Sequence, residues 1–156
     1  SMELRAKTMR LVSEQKQLDL IVVDYLGKMK GTKKKYDSKQ QEVSDISNDL
    51  ANLAKELNVP LVALSQLSRA PEARTDHRPQ LSDLRDSGSI EQDAHIVKLL
   101  YRPDYYKTGR GKEDLPDDER NVIEVIIAKN KNGPTDVVKL RWTPSSMRMD
   151  NLMREH

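Results

Sequence analysis

The chain has 156 residues, 33% of them charged, and a formal net charge of +2. That length suits one domain around one core, and so mild a basic balance does not by itself argue for nucleic acid. Cys is absent, which excludes disulfides and thiolate metal sites. No apolar run is long enough to span a bilayer as a helix, and no signal-peptide pattern occurs. Phe is also absent and aromatic residues make up 4%, so the core has to be aliphatic.

In chain order, Glu3 to Gln17 predicts a helix, with Leu4, Met9, Leu11 and Val12 as a partial apolar face. Leu20-Ile21-Val22-Val23 then reads as a strand buried on both faces, ending abruptly in Asp24 and Tyr25. A basic loop with Gly27, Gly31 and Lys33-Lys34-Lys35 follows. Ser38 has the position of an N-cap, with Gln41 at capping-box spacing. Val43, Ile46, Leu50, Leu53, Ala54 and Leu57 recur at three- and four-residue steps, so Ser38–Leu57 predicts an amphipathic helix. Asn58 ends it, and Pro60 opens a second strand running to Ser65 and Gln66. This is a βαβ unit, right-handed by default.

Leu67 to Ser82 reads as a long polar loop, Ser89 to Asp93 as a short helical turn, and His95 to Tyr101 as a third strand. Arg102 to Arg120, with two glycines and two prolines, predicts a mobile excursion. Asn121–Lys129 and Val137–Trp142 flank the turn Asn132-Gly133-Pro134 and predict an antiparallel hairpin. The polar tail from Thr143 is expected to fray. The resulting fold class is α/β, a mostly parallel sheet with flanking helices and a C-terminal antiparallel hairpin. Residues 1–142 form the domain and 143–156 the tail.

In open α/β sheets ligands bind beyond the carboxyl ends of the strands, which is where Asp24 and Gln66 fall. A carboxylate at Asp24 suits Mg²⁺ beside a nucleotide phosphate, and Gln66 beside it suits a γ-phosphate or a water. Alone, Asp24 is as readily a strand-end residue capping a loop, and Gln66 by itself is a weak signal, more often just a polar strand terminus. Lys129 and Lys131, two apart at a strand end, could neutralise phosphate charge, although for an isolated lysine pair a solvated hairpin tip is the favoured reading. Leu81 to Ser89 combines Arg85 with small residues and a helix start, which suits phosphate oxygens or, as the plain alternative, an ordinary capped turn. His77, His95 and His156 lack ligand spacing, so no zinc site is assigned. A run such as Lys33–Lys35 is more often a solvated loop than a contact, and against an anionic polymer it would help electrostatically.

Several stretches in order carry a resemblance: Asp24-Tyr25-Leu26, Gln40 to Ser47, Leu53 to Pro60, Ala63 to Arg69, Leu81 to Ala94 and Asn132 to Thr135. Together they resemble the RecA-like C-terminal motor domain of DnaB-family replicative DNA helicases, over nearly the whole chain. The resemblance implies a RecA-like fold and a ring, usually of six subunits, that encircles single-stranded DNA. It implies ATP and Mg²⁺ bound between subunits, translocation 5′ to 3′, a helicase loader and a primase as partners, and the cytoplasm of a bacterium or a phage-infected cell, with no membrane.

Residue by residue, the resemblance implies that Asp24 helps hold Mg²⁺ and that Gln66 links the γ-phosphate state to the DNA loops. It implies that Arg85, Asp86 and Gly88 grip the single-strand backbone, and that Lys129 reaches the neighbouring subunit's γ-phosphate. Where the family has an arginine finger this chain has Lys131, which keeps the charge and loses the planar fork. Gly27-Lys28 stands where the family has Gln-Leu. No G-x-x-x-x-G-K-[ST] loop occurs in these residues. In the family that loop and the catalytic glutamate lie upstream of the helix beginning near Glu3, so the chain alone is expected not to hydrolyse ATP. A non-catalytic module that binds single strands or a loader, and a RecA-like recombination ATPase, are the alternatives.

Overall fold

The computed structural model describes residues 1–15, 17–107 and 120–152, with the backbone alone for 85–88. The chain forms two compact units, Ser1–Ser68 with Leu84–Ala94 and Arg69–Asp83 with His95–His156.

In the first unit, helix α1 (Met2–Gln15) leads to strand β1 (Ile21–Val23), helix α2 (Lys39–Leu57), strand β2 (Leu61–Ala63) and the short helix α3 (Gly88–Asp93). α2 forms where the periodicity predicts, and Val43, Ile46, Leu50 and Leu53 are all buried. Ser38 caps it, its Oγ accepting the Gln41 N–H at 3.1 Å. The Gln41 side chain turns back to accept the Asp37 N–H at 3.2 Å, one residue earlier than a capping box uses. At the other end Asn58 takes the left-handed conformation, φ 52°, so its N–H reaches the Ala54 and Lys55 carbonyls.

β1 and β2 pair in parallel, Ile21 opposite Leu61 and Val23 opposite Ala63. Ile21, Val23, Leu26, Ile46, Leu50, Leu53 and Val59 form the core beneath them. The expected burial of β1 on both faces is not found: Val22 is 58% exposed and Val62 51%. Successive strand residues point to opposite faces, and α2 covers only the face of Ile21 and Val23. The helix α1 also differs from expectation. Thr8 is its buried residue and Leu11 is exposed, so the inward face runs through Leu4 and Thr8. The Thr8 hydroxyl donates to the Leu4 carbonyl at 2.8 Å, which removes the cost of burying it.

The second unit is an antiparallel sheet in the order β3 (Ile96–Tyr101), β4 (Val122–Asn130), β5 (Asp136–Thr143) and β6 (Arg148–Asn151). The predicted hairpin is thus the middle of a larger antiparallel array, and among the described strand pairs only β1–β2 is parallel. Arg148–Asn151 is a strand where the sequence predicts a frayed tail. A turn with Met147 at φ 50° brings it back, and it pairs along the free edge of β5. Its residues carry no alternating apolar pattern, so only the tertiary partner reveals it. Helix α4 (Pro103–Tyr106) follows β3, while 108–119 of the predicted excursion lie outside the described residues.

The polar loop before β3 is pinned by side chains. Arg74 donates both Nη groups to Asp83, at 2.7 and 2.6 Å, and Nη1 also to the Arg78 carbonyl at 3.0 Å. Asp83 is almost wholly buried and accepts the Gln80 N–H at 2.7 Å as well. The Arg74 guanidinium holds the Asp83 carboxyl below the ordinary carboxylate range against the opposing effect of burial, and the Gln80 N–H adds to it.

Candidate functional site

β1 and β2 end together. Beyond Val23 and Ala63, the Leu64 N–H donates to the Val23 carbonyl and the Leu26 N–H to the Leu64 carbonyl, each at 2.9 Å. Asp24 and Gln66 therefore leave the same carboxyl end of one parallel pair, and both are exposed. The Asp24–Tyr25 peptide is cis. Among the described residues no group of three or more His, Asp or Glu is placed to hold a metal. One exposed carboxylate fits Mg²⁺ all the same, because that ion keeps several waters and takes one or two carboxylates beside phosphate oxygens. Asp24 can be one such ligand, directly or through water, and cannot hold the ion alone.

The basic loop after Asp24 is tied back to α2. The Gly31 N–H donates to Glu42 at 3.0 Å, and Lys33 pairs with Asp45 at 2.7 Å. Hydrogen bonds from Lys39 and then from the Gly31 N–H lower the Glu42 pKa, and Asp45 raises that of Lys33. Lys34 and Lys35 are exposed and make no ion pair among the described residues, so they add free positive charge to the loop.

Lys129 and Lys131 belong to the second unit. Lys129 is half-buried near the end of β4, and Lys131 is exposed in the β4–β5 turn with its N–H donating to the His95 carbonyl at 2.9 Å. The β3–β4 register slips just before them: Val97 faces Lys129 but Lys98 faces Ile127, which leaves Ala128 as an extra residue. A bulge of this kind re-aims the side chains that follow it.

Leu81–Ser87 is a 3₁₀ segment, kinked at Leu84 (φ −74°, ψ 23°), that runs into α3. The side chains of Arg85, Asp86 and their neighbours to Gly88 lie outside the described residues. The ends of this segment are anchored nonetheless. Asp83 is held by Arg74 upstream, and Asp93 accepts the Ser47 hydroxyl of α2 at 2.7 Å downstream.

The family model described as the DnaB-like helicase C terminal domain matches residues 1–151. The chain belongs to this family. It is 49% identical to the replicative DNA helicase DnaC of Bacillus subtilis over 152 residues, covering 97% of this chain and 32% of that protein. Against the replicative DNA helicase DnaB of Geobacillus stearothermophilus the identity is 48%, over the same 97% and 32%. A solved ATPase domain superposes with a TM-score of 0.83 at 40% identity, covering 96% of this chain and 50% of that one. A DnaB-like replicative helicase described with its interactions with primase gives 0.82 at 40% identity, covering 96% and 35%. The chain spans about a third of the length of the curated relatives it matches. Its α/β, RecA-like architecture is that of these DnaB-like domains.

For this DnaB-like chain, the structure thus brings Asp24 and Gln66 to one strand end and sets Lys129 and Lys131 on a bulged hairpin of the other unit. Sequence reasoning missed two supporting groups. Arg74 and Asp83 are nine residues apart in an irregular loop, and no spacing rule pairs them. Asn130 was readable: it stands two residues before Asn132 at the start of an Asn-Gly-Pro turn, and Asn side chains bond the backbone two residues on.

Proposed function

We propose that this chain is the distal part of the motor domain of an ATP-dependent replicative DNA helicase. The observation that carries the reading is the parallel pair β1–β2, which delivers Asp24 and Gln66 to one carboxyl edge. The curated relatives named replicative DNA helicases support it. Asp24 contributes to Mg²⁺ binding beside the phosphates of ATP. Gln66 responds to the γ-phosphate and transmits its presence toward the DNA loops. Lys129 and Lys131 act on the nucleotide of a neighbouring subunit in a ring of six, with Lys131 supplying point charge where the family has a planar arginine. Arg85, Asp86 and the Gly88 backbone hold single-stranded DNA in the channel. A loader and a primase are partners of the whole protein, and the solved relative described with its interactions with primase supports the second. The setting is cytoplasmic replication in a bacterium or a phage-infected cell.

These 156 residues hold no Gly-rich phosphate loop, so they supply half a nucleotide site. The test is ATP turnover with and without single-stranded DNA, in this chain and in the full-length protein around it. The chain alone shows none. The full-length protein turns over, and Asp24→Ala lowers its rate at least about 100-fold, as loss of a group that stabilises transferred phosphate does. DNA-stimulated turnover by the isolated chain, abolished by Asp24→Ala, would overturn the reading.

A further inference from the structure

We propose that Asn130 is a positioning residue for Lys131: its side-chain amide fixes the shape of the hairpin tip from which Lys131 reaches the nucleotide of the neighbouring subunit. The inference rests on the role given to Lys131 above. Asn130 is the last residue of β4 and immediately precedes Lys131. Its Nδ2 donates to the Pro134 carbonyl at 3.2 Å, and its Oδ1 accepts the Asn132 N–H at 3.3 Å. One amide therefore straps both limbs of the turn. Each end of the amide has one chemical role, so rotating it by half a turn would set donor against donor and acceptor against acceptor.

Gly133 makes room for this strap. A Cβ there would meet Asn130 Nδ2 at 2.8 Å. On the other side the Lys131 N–H is held by the His95 carbonyl at 2.9 Å. Lys131 is thus a long flexible side chain on a tip whose backbone is fixed at both neighbours and at its own N–H. Lysine needs this more than arginine would, because a point charge on four methylene groups has no planar fork to align itself on a phosphate. The bulge at Ala128 turns the strand just before the strap, so the strap sets how the re-aimed strand ends.

The experiment uses the full-length protein that carries this chain, with DNA-stimulated ATP hydrolysis as the readout, and compares Asn130→Ala, Lys131→Ala and the double variant. Displacing a positioned group by about 1 Å costs up to about 100-fold. Asn130→Ala is expected to lower kcat about tenfold, with KM for ATP changed less than about twofold. In the Lys131→Ala background it is expected to change kcat less than about twofold, because the group it positions is gone. Gly133→Ala disturbs the same strap from the opposite side, so it gives the same split between kcat and KM and serves if Asn130→Ala fails to assemble. Multiplicative losses in the double variant would overturn the inference. So would a normal kcat in Asn130→Ala and Gly133→Ala beside an impaired Lys131→Ala, while leaving the role of Lys131 intact. A normal kcat in Lys131→Ala would overturn that role, and the inference with it.

Discussion

Ile46 on α2 has no exposed surface and sits among Ile21, Val23, Leu26, Leu50 and Leu53. Ile46→Ala removes three carbon atoms from this core, each worth about 0.8 kcal/mol on transfer from water. The surrounding helix and strands relax only in part, so the residual cavity adds about 1 kcal/mol or more. The expected cost is about 3–4 kcal/mol, against about 1 kcal/mol for Ile46→Val. With a urea dependence of about 2 kcal/mol/M, the two variants shift the unfolding midpoint by about 1.5–2 M and about 0.5 M. The internal control is Val22→Ala on the opposite face of β1, where the side chain is 58% exposed. It is expected to cost under about 1 kcal/mol. If Ile46→Ala cost no more than Val22→Ala, α2 would not be sealing one face of the sheet, and the placement of Asp24 at the end of a core strand would lose its support.

Three further outcomes follow from the geometry. The Asp83 carboxyl is held below its ordinary value of about 4, so the stability it contributes is present above that value and lost as the pH falls through the folded one. Unfolding midpoints measured from pH 7 down to about 2.5 should therefore drop on the acid side in the parent chain, and drop less in Asp83→Asn. Ser38→Ala removes the acceptor of the Gln41 N–H at the start of α2 and is expected to cost about 1 kcal/mol, measured by urea unfolding followed by circular dichroism. In the full-length protein, replacing Lys34 and Lys35 together by Ala is expected to reduce the slope of log affinity for single-stranded DNA against log salt by about 1.4, about 0.7 for each phosphate no longer neutralised. An unchanged slope would mean that neither lysine neutralises a phosphate.

The parts of this fold that were legible from the sequence are those with local causes. α2 shows its period, its Ser38 cap and its Asn58 stop, and the structure follows all three with only the Gln41 bond displaced by a residue. β1 and β2 were legible as apolar runs, and from them the end at which Asp24 and Gln66 emerge. Their one-sided burial was not legible, because a continuous apolar run records a face that wants covering without recording what covers it. β6 was hidden for the opposite reason: Arg148, Asp150 and Asn151 have no strand signature and pair because β5 offers an edge. The antiparallel partnership of β3 with β4, and the bulge at Ala128, depend on a register set across a long connection, which no window of sequence contains. At the site, the resemblance names candidate residues, and of these the strand pairing brings Asp24 and Gln66 to one end. The Arg74–Asp83 clamp was not, because it joins two positions in an irregular loop.

The two-stranded sheet has a consequence for the behaviour of this polypeptide in a tube. Among the described residues β1 and β2 pair only with each other, so each keeps one edge of unpaired N–H and C=O groups next to exposed Val22 and Val62. Such an edge is a template for another chain, and a net charge of +2 gives little colloidal repulsion to oppose it. Exposed Lys34 and Lys35, on the loop that follows β1, place like charges on any second copy that approaches. Raising salt should screen that protection and promote self-association at concentrations where the same chain stays dispersed in dilute buffer.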